Sequence, residues 1–232
     1  ALIPACQKGS ELAVDILLNS KTDIFLHHPE RDNCFIVCCR SGQPVIFEKL
    51  LNLLDNKKRD EILNTCAFID GFNPLLSAVE QQKTECIGLC VTHGTDVNFK
   101  TSLDNPIIAN ATGAHLACMY NLPKSLHALS ELGCDMNSQM YEGLTPLHIS
   151  IKKNNYECID YLINICNVDV NIKDDYGKSA IYYATSNERL MKLYFTNNLE
   201  VILKKLVFGQ KNEEIINNIV EYLKETEDTS II

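Results

Sequence analysis

Three side chains with metal-binding chemistry follow one another at helical spacing near the middle of this sequence. Cys86, Cys90 and His93 form an i, i+4, i+7 pattern, which places two thiols and an imidazole along one face of a helix. Zinc sites use about four protein ligands or solvent positions, and the sequence supplies no evident fourth ligand here. We therefore predict neither a metal site nor a cofactor.

The cysteines as a group would imply disulfide, metal or nucleophilic chemistry if they were reactive. There are 11 of them, an odd number, and no CxxC pair occurs. Cys6, Cys39 and Cys118 recur at one position of a repeated pattern, and Cys86 and Cys158 recur at another. Cysteines at such positions behave as small core hydrophobes. Free thiols in that number predict a reducing compartment, the cytoplasm or the nucleus.

No recognised sequence motif indicates that the chain is an enzyme. The sequence contains no P-loop, GxGxxG, GxSxG or HExxH segment. Its net charge of −9, from 21 basic and 30 acidic residues, disfavours general binding to nucleic acid or to anionic membranes. No segment approaches the roughly 18 consecutive apolar residues of a membrane span. We predict a chain that is not an enzyme and whose charge favours a basic protein partner.

These residues sit inside a pattern that recurs along the chain. Each frame has a small apolar pair, two polar residues, a turn residue and a longer apolar helix. The turn residues are Gly9, Gly42, Gln82, Asn121, Asn154 and Glu188, spaced by 33, 40, 39, 33 and 34 residues. Recurrence at this period predicts one supersecondary unit whose apolar face is buried by stacking on its neighbours.

Two short motifs tie this pattern to a known family. The segment TPLH at 145–148 resembles the opening of an ankyrin repeat, and HGTDVN at 93–98 resembles its closing turn. The sequence therefore resembles the ankyrin-repeat family over about residues 1 to 195. The resemblance implies an all-α ankyrin-repeat solenoid, built from helix-turn-helix pairs with β-hairpin or loop connections, and a helical C-terminal cap.

The predicted domain organisation follows from the same register. The repeats are expected at 1–33, 34–69, 70–103, 104–139, 140–173 and 174–198, which together form one ankyrin-repeat domain over 1–198. The remaining segment, 199–232, is predicted to form capping helices and a tail. Its amphipathic stretch at 211–226 has the polar outer face that a terminal repeat needs.

Local signals predict how each frame begins. Pro74 and Pro146 fit the first turn of a helix, where a missing N–H costs nothing. Thr145 fits an N-cap, and Gly143 fits a position that requires positive φ. The resemblance implies that His148 links its own turn to a neighbouring repeat by hydrogen bonds.

Two stretches exceed the common period. One lies at 52–68 and the other at 99–112. Insertions in repeat proteins often map to loops on the binding face, and a tolerated surface loop is the alternative because long loops cost little free energy. Residues 106–108, Pro-Ile-Ile, either pack locally or meet a partner.

The resemblance also implies where a protein partner binds: the concave surface made by hairpin tips and the exposed ends of the first helices. Aromatic residues and Met are enriched at interface centres. For the aromatic residues and Met119, packing against adjacent hairpins is the alternative, and for Lys152 and Lys153 the alternative is a solvated face. The positions carried over are Phe72, Met119, Tyr120, Tyr141, Glu142, Lys152, Lys153, Asp175 and Tyr176.

The function predicted from these residues is non-catalytic protein binding by a chain that is monomeric by itself. Two alternatives stay open: a regulatory ankyrin domain of a larger enzyme or channel, and an acidic inhibitor that masks a basic segment of a transcription factor. Asn98, Asn137 and Asn171 are predicted to close their turns by side-chain hydrogen bonds. The resemblance makes them hydroxylation targets as a further possibility.

Overall fold

The computed structural model describes residues 1–25, 33–64, 66, 71–103 and 105–185, and these residues fold into short helices. They form two compact units, of which the first spans Ala1–Asp135 and the second begins at Met136. The predicted turn residue Glu188 and the predicted cap at 199–232 lie outside the described residues. No described helix combines the length and the apolar composition needed to cross a membrane.

The first unit contains a run of paired helices. In chain order the described ones are α1 Leu2–Lys8, α2 Glu11–Asn19, α3 Cys34–Ser41, α4 Pro44–Asn52, α5 Asn56–Asn64, α6 Pro74–Glu80, α7 Thr84–Thr92, α8 Gly113–Met119 and α9 Pro123–Glu131. The first helices of the pairs, α1, α3, α6 and α8, pack in succession. The second helices α4, α7 and α9 do the same, as a stack of repeats requires.

A left-handed residue reverses the chain between the two helices of a pair. Gly9, Gly42, Gln82 and Asn121 have φ values of 70°, 68°, 53° and 54°. The next residue then bonds back to the helix: the Gln43 amide donates to the Cys38 carbonyl at 2.9 Å. This is the Schellman arrangement, which satisfies a carbonyl left open at the helix end. The sequence prediction of the turn residues is confirmed at every described position.

The helix starts carry side-chain caps, and Pro74 has its predicted place. Asn73 Oδ1 accepts from the Leu76 amide at 2.9 Å, and Pro74 occupies the first turn of α6. Before α8, Thr112 and His115 form a reciprocal capping box, with the Thr112 amide donating to His115 Nδ1 at 3.1 Å. Each cap satisfies amides that have no partner within the helix.

The interior of the first unit is apolar and rich in thiols. Phe35 and Phe47 meet edge to face with ring centroids 6.5 Å apart. Cys39 and Cys90 are fully buried with their sulfurs 3.9 Å apart, and of the chain's 11 cysteines nine are buried. Burial raises the pKa of the Cys34 and Cys39 thiols well above the ordinary range, so these sulfurs stay protonated. The interpretation of the cysteines as core residues is confirmed.

The three side chains of the hypothetical metal site have different surroundings. Cys86 and Cys90 are buried in the core of the first unit, while His93 lies just past the end of α7. The described residues contain no group of three or more His, Cys, Asp or Glu side chains arranged to hold a metal ion.

The insert at 52–68 is expected to be a loop, and this expectation is wrong over its described part. It forms α5, which buries Ile62 and Leu63 and contacts α6. The Arg59 guanidinium donates to the carbonyls of Leu51 and Leu54 at 3.2 Å each, tying α5 to the end of α4. Two buried apolar side chains and a satisfied helix end stabilise this segment more than an open loop would.

The two isoleucines of the insert at 99–112 differ in their exposure to solvent. Ile108 is 5 % exposed, whereas Ile107 is 72 % exposed. The Thr101 hydroxyl donates to the Ile108 carbonyl, and the Thr101 amide donates to the Ala111 carbonyl at 2.9 Å. One isoleucine therefore packs locally while its neighbour faces solvent.

The second unit follows the same plan with fewer described residues. Its elements are a 3-10 turn at Tyr141–Gly143, α10 Pro146–Lys153, α11 Tyr156–Asp160, a π-helical continuation at Tyr161–Ile165, and α12 Ala180–Thr185. Helix α10 packs on both α11 and α12, and Asn154 at φ 60° makes the turn after α10. Of the expected β-hairpins, the described residues show one antiparallel bridge, between Lys173 and Ser179.

Candidate protein-interaction surface

In the first unit, the ends of the first helices present side chains to solvent. Tyr120, just past the end of α8, is 47 % exposed, and Met119 beside it is half-buried. Directly before the turn, the position of Tyr120 is occupied by Lys8, Ser41 and Gln81 in the other repeats, and one residue earlier the position of Met119 is occupied by Gln7, Arg40 and Glu80. Chemically different side chains therefore occupy the same two structural positions before the left-handed turn of each repeat.

Phe72 does not belong to this surface, and its assignment as a partner contact is corrected. The side chain is 2 % exposed, directly before the Asn73 cap of α6. Burying a Phe side chain stabilises a protein by about 1.5–3 kcal/mol relative to exposing it. The ring is therefore part of the core, as the alternative interpretation of this residue predicted.

In the second unit, two turns touch each other. The Asp175 amide donates to the Glu142 carbonyl at 3.0 Å. Gly143 makes this approach possible: it has φ +69°, and a Cβ there would lie 2.8 Å from the Asp175 nitrogen. Only glycine provides both the positive φ and the space. We call the four residues on these touching turns, Tyr141, Glu142, Asp175 and Tyr176, the paired turns.

The paired turns expose aromatic rings beside carboxylates. Tyr141 is 53 % exposed and Tyr176 is 66 % exposed. The negative charge of the Glu142 carboxylate raises the pKa of Tyr176. Asp175 is also exposed. The structure thus assembles four of the predicted site residues into one patch.

A buried hydrogen-bond network around Asp174 fixes the backbone of the turn that carries Asp175 and Tyr176. Asp174 is 5 % exposed, and its Oδ1 accepts from the Tyr176 amide at 3.0 Å and from the Lys178 amide at 2.9 Å. The Tyr183 hydroxyl donates to Oδ2 of the same carboxylate. Burial opposes ionisation of Asp174, but these hydrogen bonds outweigh it and lower its pKa. Burial and the bond to Asp174 raise the pKa of Tyr183 to about 12.

His148 connects this network to α10. Its Nδ1 accepts from the Thr145 amide at 3.2 Å in a capping box, and its Nε2 lies 3.1 Å from the Lys178 carbonyl. The link to the following repeat that the resemblance implies is present in this unit. Desolvation lowers the pKa of His148, so the ring is neutral and Nε2–H is the donor to Lys178.

The two predicted lysines of α10 differ in their surroundings. Lys152 Nζ lies 4.6 Å from the centroid of the Tyr183 ring. Lys178 Nζ likewise lies 4.3 Å from the Tyr182 ring centroid. Lys152 and Lys153 are both exposed, so both reach the surface, but Lys152 is also engaged with an aromatic face of its own chain.

Two of the three turn asparagines bond to the following repeat. Asn98 Oδ1 accepts from the Asp135 amide at 2.8 Å, and Asn137 Oδ1 accepts from the Asp169 amide at 2.9 Å. Each of these two side chains therefore bonds the next repeat, a contact that the sequence did not predict. The Asp169 side chain closes a turn by accepting from the Asn171 amide at 2.9 Å. The short Asp side chain reaches two residues ahead, which is the usual Asx geometry.

The supporting residues Asp174 and Tyr183 were not found by sequence reasoning. An Asp three residues before Gly177 is a turn signal that would have identified the first of them. Nothing in the local sequence indicates that Tyr183, on α12, reaches back to that carboxylate.

Comparison with known proteins decides what this architecture is. A family model for ankyrin repeats, three copies, matches residues 114–205. Over this region the chain is an ankyrin-repeat protein. The helix pairs with left-handed turns agree with that match, and they confirm the predicted all-α ankyrin-repeat solenoid as the fold class. Ankyrin repeats generally mediate protein–protein interaction.

Several curated ankyrin proteins are similar to this chain. Human ankyrin repeat and SOCS box protein 6 is 26 % identical over 135 residues, which cover 57 % of this chain and 30 % of that protein. Human B-cell lymphoma 3 protein is 27 % identical over 196 residues, covering 80 % and 38 %. Human transient receptor potential cation channel subfamily A member 1 is 26 % identical over 166 residues, covering 69 % and 13 %. The chain thus spans well under half of each of these relatives.

Proposed function

We propose that this chain is a non-catalytic protein-interaction module. Its partner contacts are Met119 and Tyr120 in the first unit and Tyr141, Glu142, Lys152, Lys153, Asp175 and Tyr176 in the second. The observation that carries the proposal is the set of paired turns, where two exposed tyrosines stand on a backbone fixed by buried hydrogen bonds. A surface that is already ordered loses little conformational entropy on binding, which favours affinity.

The surroundings of several titratable groups fit a role without catalysis. Burial raises the pKa of the Cys34 and Cys39 thiols, which disfavours the reactive thiolate at these two positions. His148 and Asp174 direct their polar atoms at backbone groups and at Tyr183 rather than into an open cleft. The polar atoms of these two side chains therefore stabilise the fold.

The partner is a protein, and the net charge of −9 favours one with a basic segment over nucleic acid or an anionic membrane. The nine buried free thiols fit a reducing compartment, which makes the cytoplasm or nucleus the proposed location. A monomeric state by itself is part of the same proposal.

Two other roles have some support. The partial coverage of the relatives, one of them a protein named as a cation channel, favours a regulatory ankyrin domain within a longer enzyme or channel polypeptide. The acidic balance favours an inhibitor that masks a basic segment of a transcription factor. Both roles use the same binding surface and differ in which protein segment that surface binds.

The proposal is tested by affinity capture from cell lysate followed by cross-linking mass spectrometry. Three baits are compared with the unmodified chain: Met119→Glu/Tyr120→Glu, Tyr141→Glu/Tyr176→Glu, and a control, Leu12→Glu/Val45→Glu. The control adds the same charge at apolar positions that are 73 % and 55 % exposed on α2 and α4, outside the predicted surface. Circular dichroism first establishes that all four baits keep their helical content.

The expected result is a protein that cross-links near the predicted surface, is retained by the control bait, and is lost with one or both surface variants. Equal capture by all four baits would contradict the proposed surface and would direct attention to the insert around Ile107. Cross-links confined to α2 and α4 would also contradict the proposed surface.

A further inference from the structure

The paired turns have the composition of a site for a cation. Two tyrosine rings, 53 % and 66 % exposed, lie on touching turns that also carry the carboxylates of Glu142 and Asp175. The face of an aromatic ring carries partial negative charge and attracts a cation within about 6 Å of its centroid. A carboxylate beside the ring adds a full charge and a hydrogen-bond acceptor.

The second unit already uses this chemistry internally. Lys178 Nζ lies 4.3 Å from the Tyr182 ring centroid, and Lys152 Nζ lies 4.6 Å from that of Tyr183. Among the described residues, no lysine or arginine of the chain stacks on Tyr141 or Tyr176. The faces of these two exposed tyrosine rings can therefore bind a cation that belongs to another molecule.

Of the two basic side chains, arginine matches the patch better. A guanidinium is planar, stacks flat on an aromatic ring, and donates two parallel N–H bonds to a carboxylate at the same time. A lysine ammonium is more strongly hydrated and acts as a point charge. Because the Asp175 amide donates to the Glu142 carbonyl at 3.0 Å, Tyr176 and Glu142 lie on touching turns, and one guanidinium placed on the Tyr176 ring is within reach of the Glu142 carboxylate.

We propose that the paired turns bind an arginine side chain of the partner protein, with the guanidinium against the Tyr176 ring and hydrogen-bonded to Glu142. This inference rests on the proposed protein-binding function and names the chemistry of its partner. Tyr141 lines the patch and Asp175 contributes negative charge from its rim. The fixed position of both turns means that the patch exists before the arginine arrives.

The test is an NMR titration of the isotope-labelled chain with N-acetyl-arginine amide. N-acetyl-citrulline amide, which has nearly the same shape without the charge, and N-acetyl-lysine amide are titrated in parallel. The variants are Glu142→Gln, Tyr176→Leu and, as a control, Glu157→Gln, which removes the same charge from α11. Amide spectra without ligand establish that each variant is folded.

The arginine derivative is expected to shift the signals of Tyr141 and Tyr176 with millimolar affinity and to bind more tightly than either other derivative. Glu142→Gln is expected to weaken binding by about threefold to tenfold, Tyr176→Leu by about twofold to fivefold, and Glu157→Gln by less than about twofold. Equal binding of the citrulline derivative, tighter binding of the lysine derivative, or equal effects of the two Glu→Gln changes would overturn the inference.

The two proposals fail in different ways. If a captured protein is lost with Tyr141→Glu/Tyr176→Glu while the arginine derivative does not bind, the arginine site is wrong and the protein-binding surface stands. If the arginine derivative binds at the paired turns and its binding follows the predicted order of variants, the arginine site stands whatever the capture experiment returns.

Discussion

Both units of this protein bury apolar side chains and polar helix caps, and they differ in what surrounds their exposed residues. In the first unit the interior around Phe35, Phe47 and Cys39 is aromatic, aliphatic and rich in thiols. Around His148 and Asp174 the second unit adds buried polar side chains that bond to neighbouring turns. Apolar contacts are non-directional, whereas hydrogen bonds have a defined geometry. Directional bonds therefore explain how the second unit holds exposed turns in place for recognition.

The largest expected effect is a loss of stability when a buried aromatic ring of the first unit is removed, compared with removal of an exposed one. Phe72→Ala is expected to lower the free energy of unfolding by about 3–5 kcal/mol because it leaves a cavity in a packed interior. Tyr120→Ala should cost less than about 1 kcal/mol, since that side chain is 47 % exposed. Urea denaturation followed by far-UV circular dichroism measures both, as the chain contains no Trp. Similar losses for the two variants would contradict the burial of Phe72.

The next effect concerns the contact between the paired turns. Gly143→Ala is expected to destabilise the protein by about 2–4 kcal/mol, since the new methyl group meets the Asp175 backbone and φ is positive. Gly177→Ala is the matched control: its φ is +75°, but no atom lies within 4 Å of the place its methyl group would occupy, and about 1 kcal/mol is expected. The same denaturation experiment compares them. Equal costs would show that the turns are not held together by this close approach.

A smaller effect tests the thiol-rich interior. Cys39→Ser places a hydroxyl among apolar atoms in the first unit, and a loss of about 1–3 kcal/mol is expected from an unsatisfied buried polar group. Cys66→Ser serves as the control because Cys66 is exposed. Thermal melts of the reduced proteins provide the measurement. If the two variants have the same melting temperature, Cys39 does not act as a core hydrophobe.

The smallest effect is a pH dependence confined to the second unit. Desolvation lowers the folded-state pKa of His148, so the unfolded chain, with a His pKa of about 6.5, takes up the proton first on acidification. The stability contributed by neutral His148 is complete above about pH 6.5 and decreases as the pH falls toward the lowered pKa.

His148→Gln should therefore make the unfolding free energy less dependent on pH between about pH 7 and 5. The matched control is His127→Gln, because His127 is an exposed residue on α9. Denaturation curves at several pH values supply the slopes. A slope in His148→Gln that equals that of the control would show that burial of this imidazole does not contribute to the pH dependence.

Much of the fold was predictable because it depends on local sequence signals. The turn at Asn154, the cap at Thr145 and the first-turn Pro146 each have a residue type that suits one backbone conformation. The recurrence of these signals at one period then identified the repeat. The helix α5 was missed because its two buried residues, Ile62 and Leu63, give too short an apolar pattern to distinguish a helix from a loop.

The candidate site was predictable only in part. The register located Tyr141, Glu142, Asp175 and Tyr176, but it could not show that Gly143 lets the two turns touch. It also could not separate Phe72, which is buried, from Tyr176, which is exposed, because both flank a turn glycine. The bond from Tyr183 to Asp174 joins a helix to a turn, and such tertiary contacts leave no periodic signal in one sequence.

The most direct test of the protein-binding account is site-specific photo-cross-linking in cells. Benzoylphenylalanine is placed at Tyr176 or at Ile165, two positions of the second unit that are each 66 % exposed. The account predicts a cross-linked protein from Tyr176, none from Ile165, and a weaker product when Glu142→Gln is added. Identical products from both positions, or products from Ile165 alone, would contradict it.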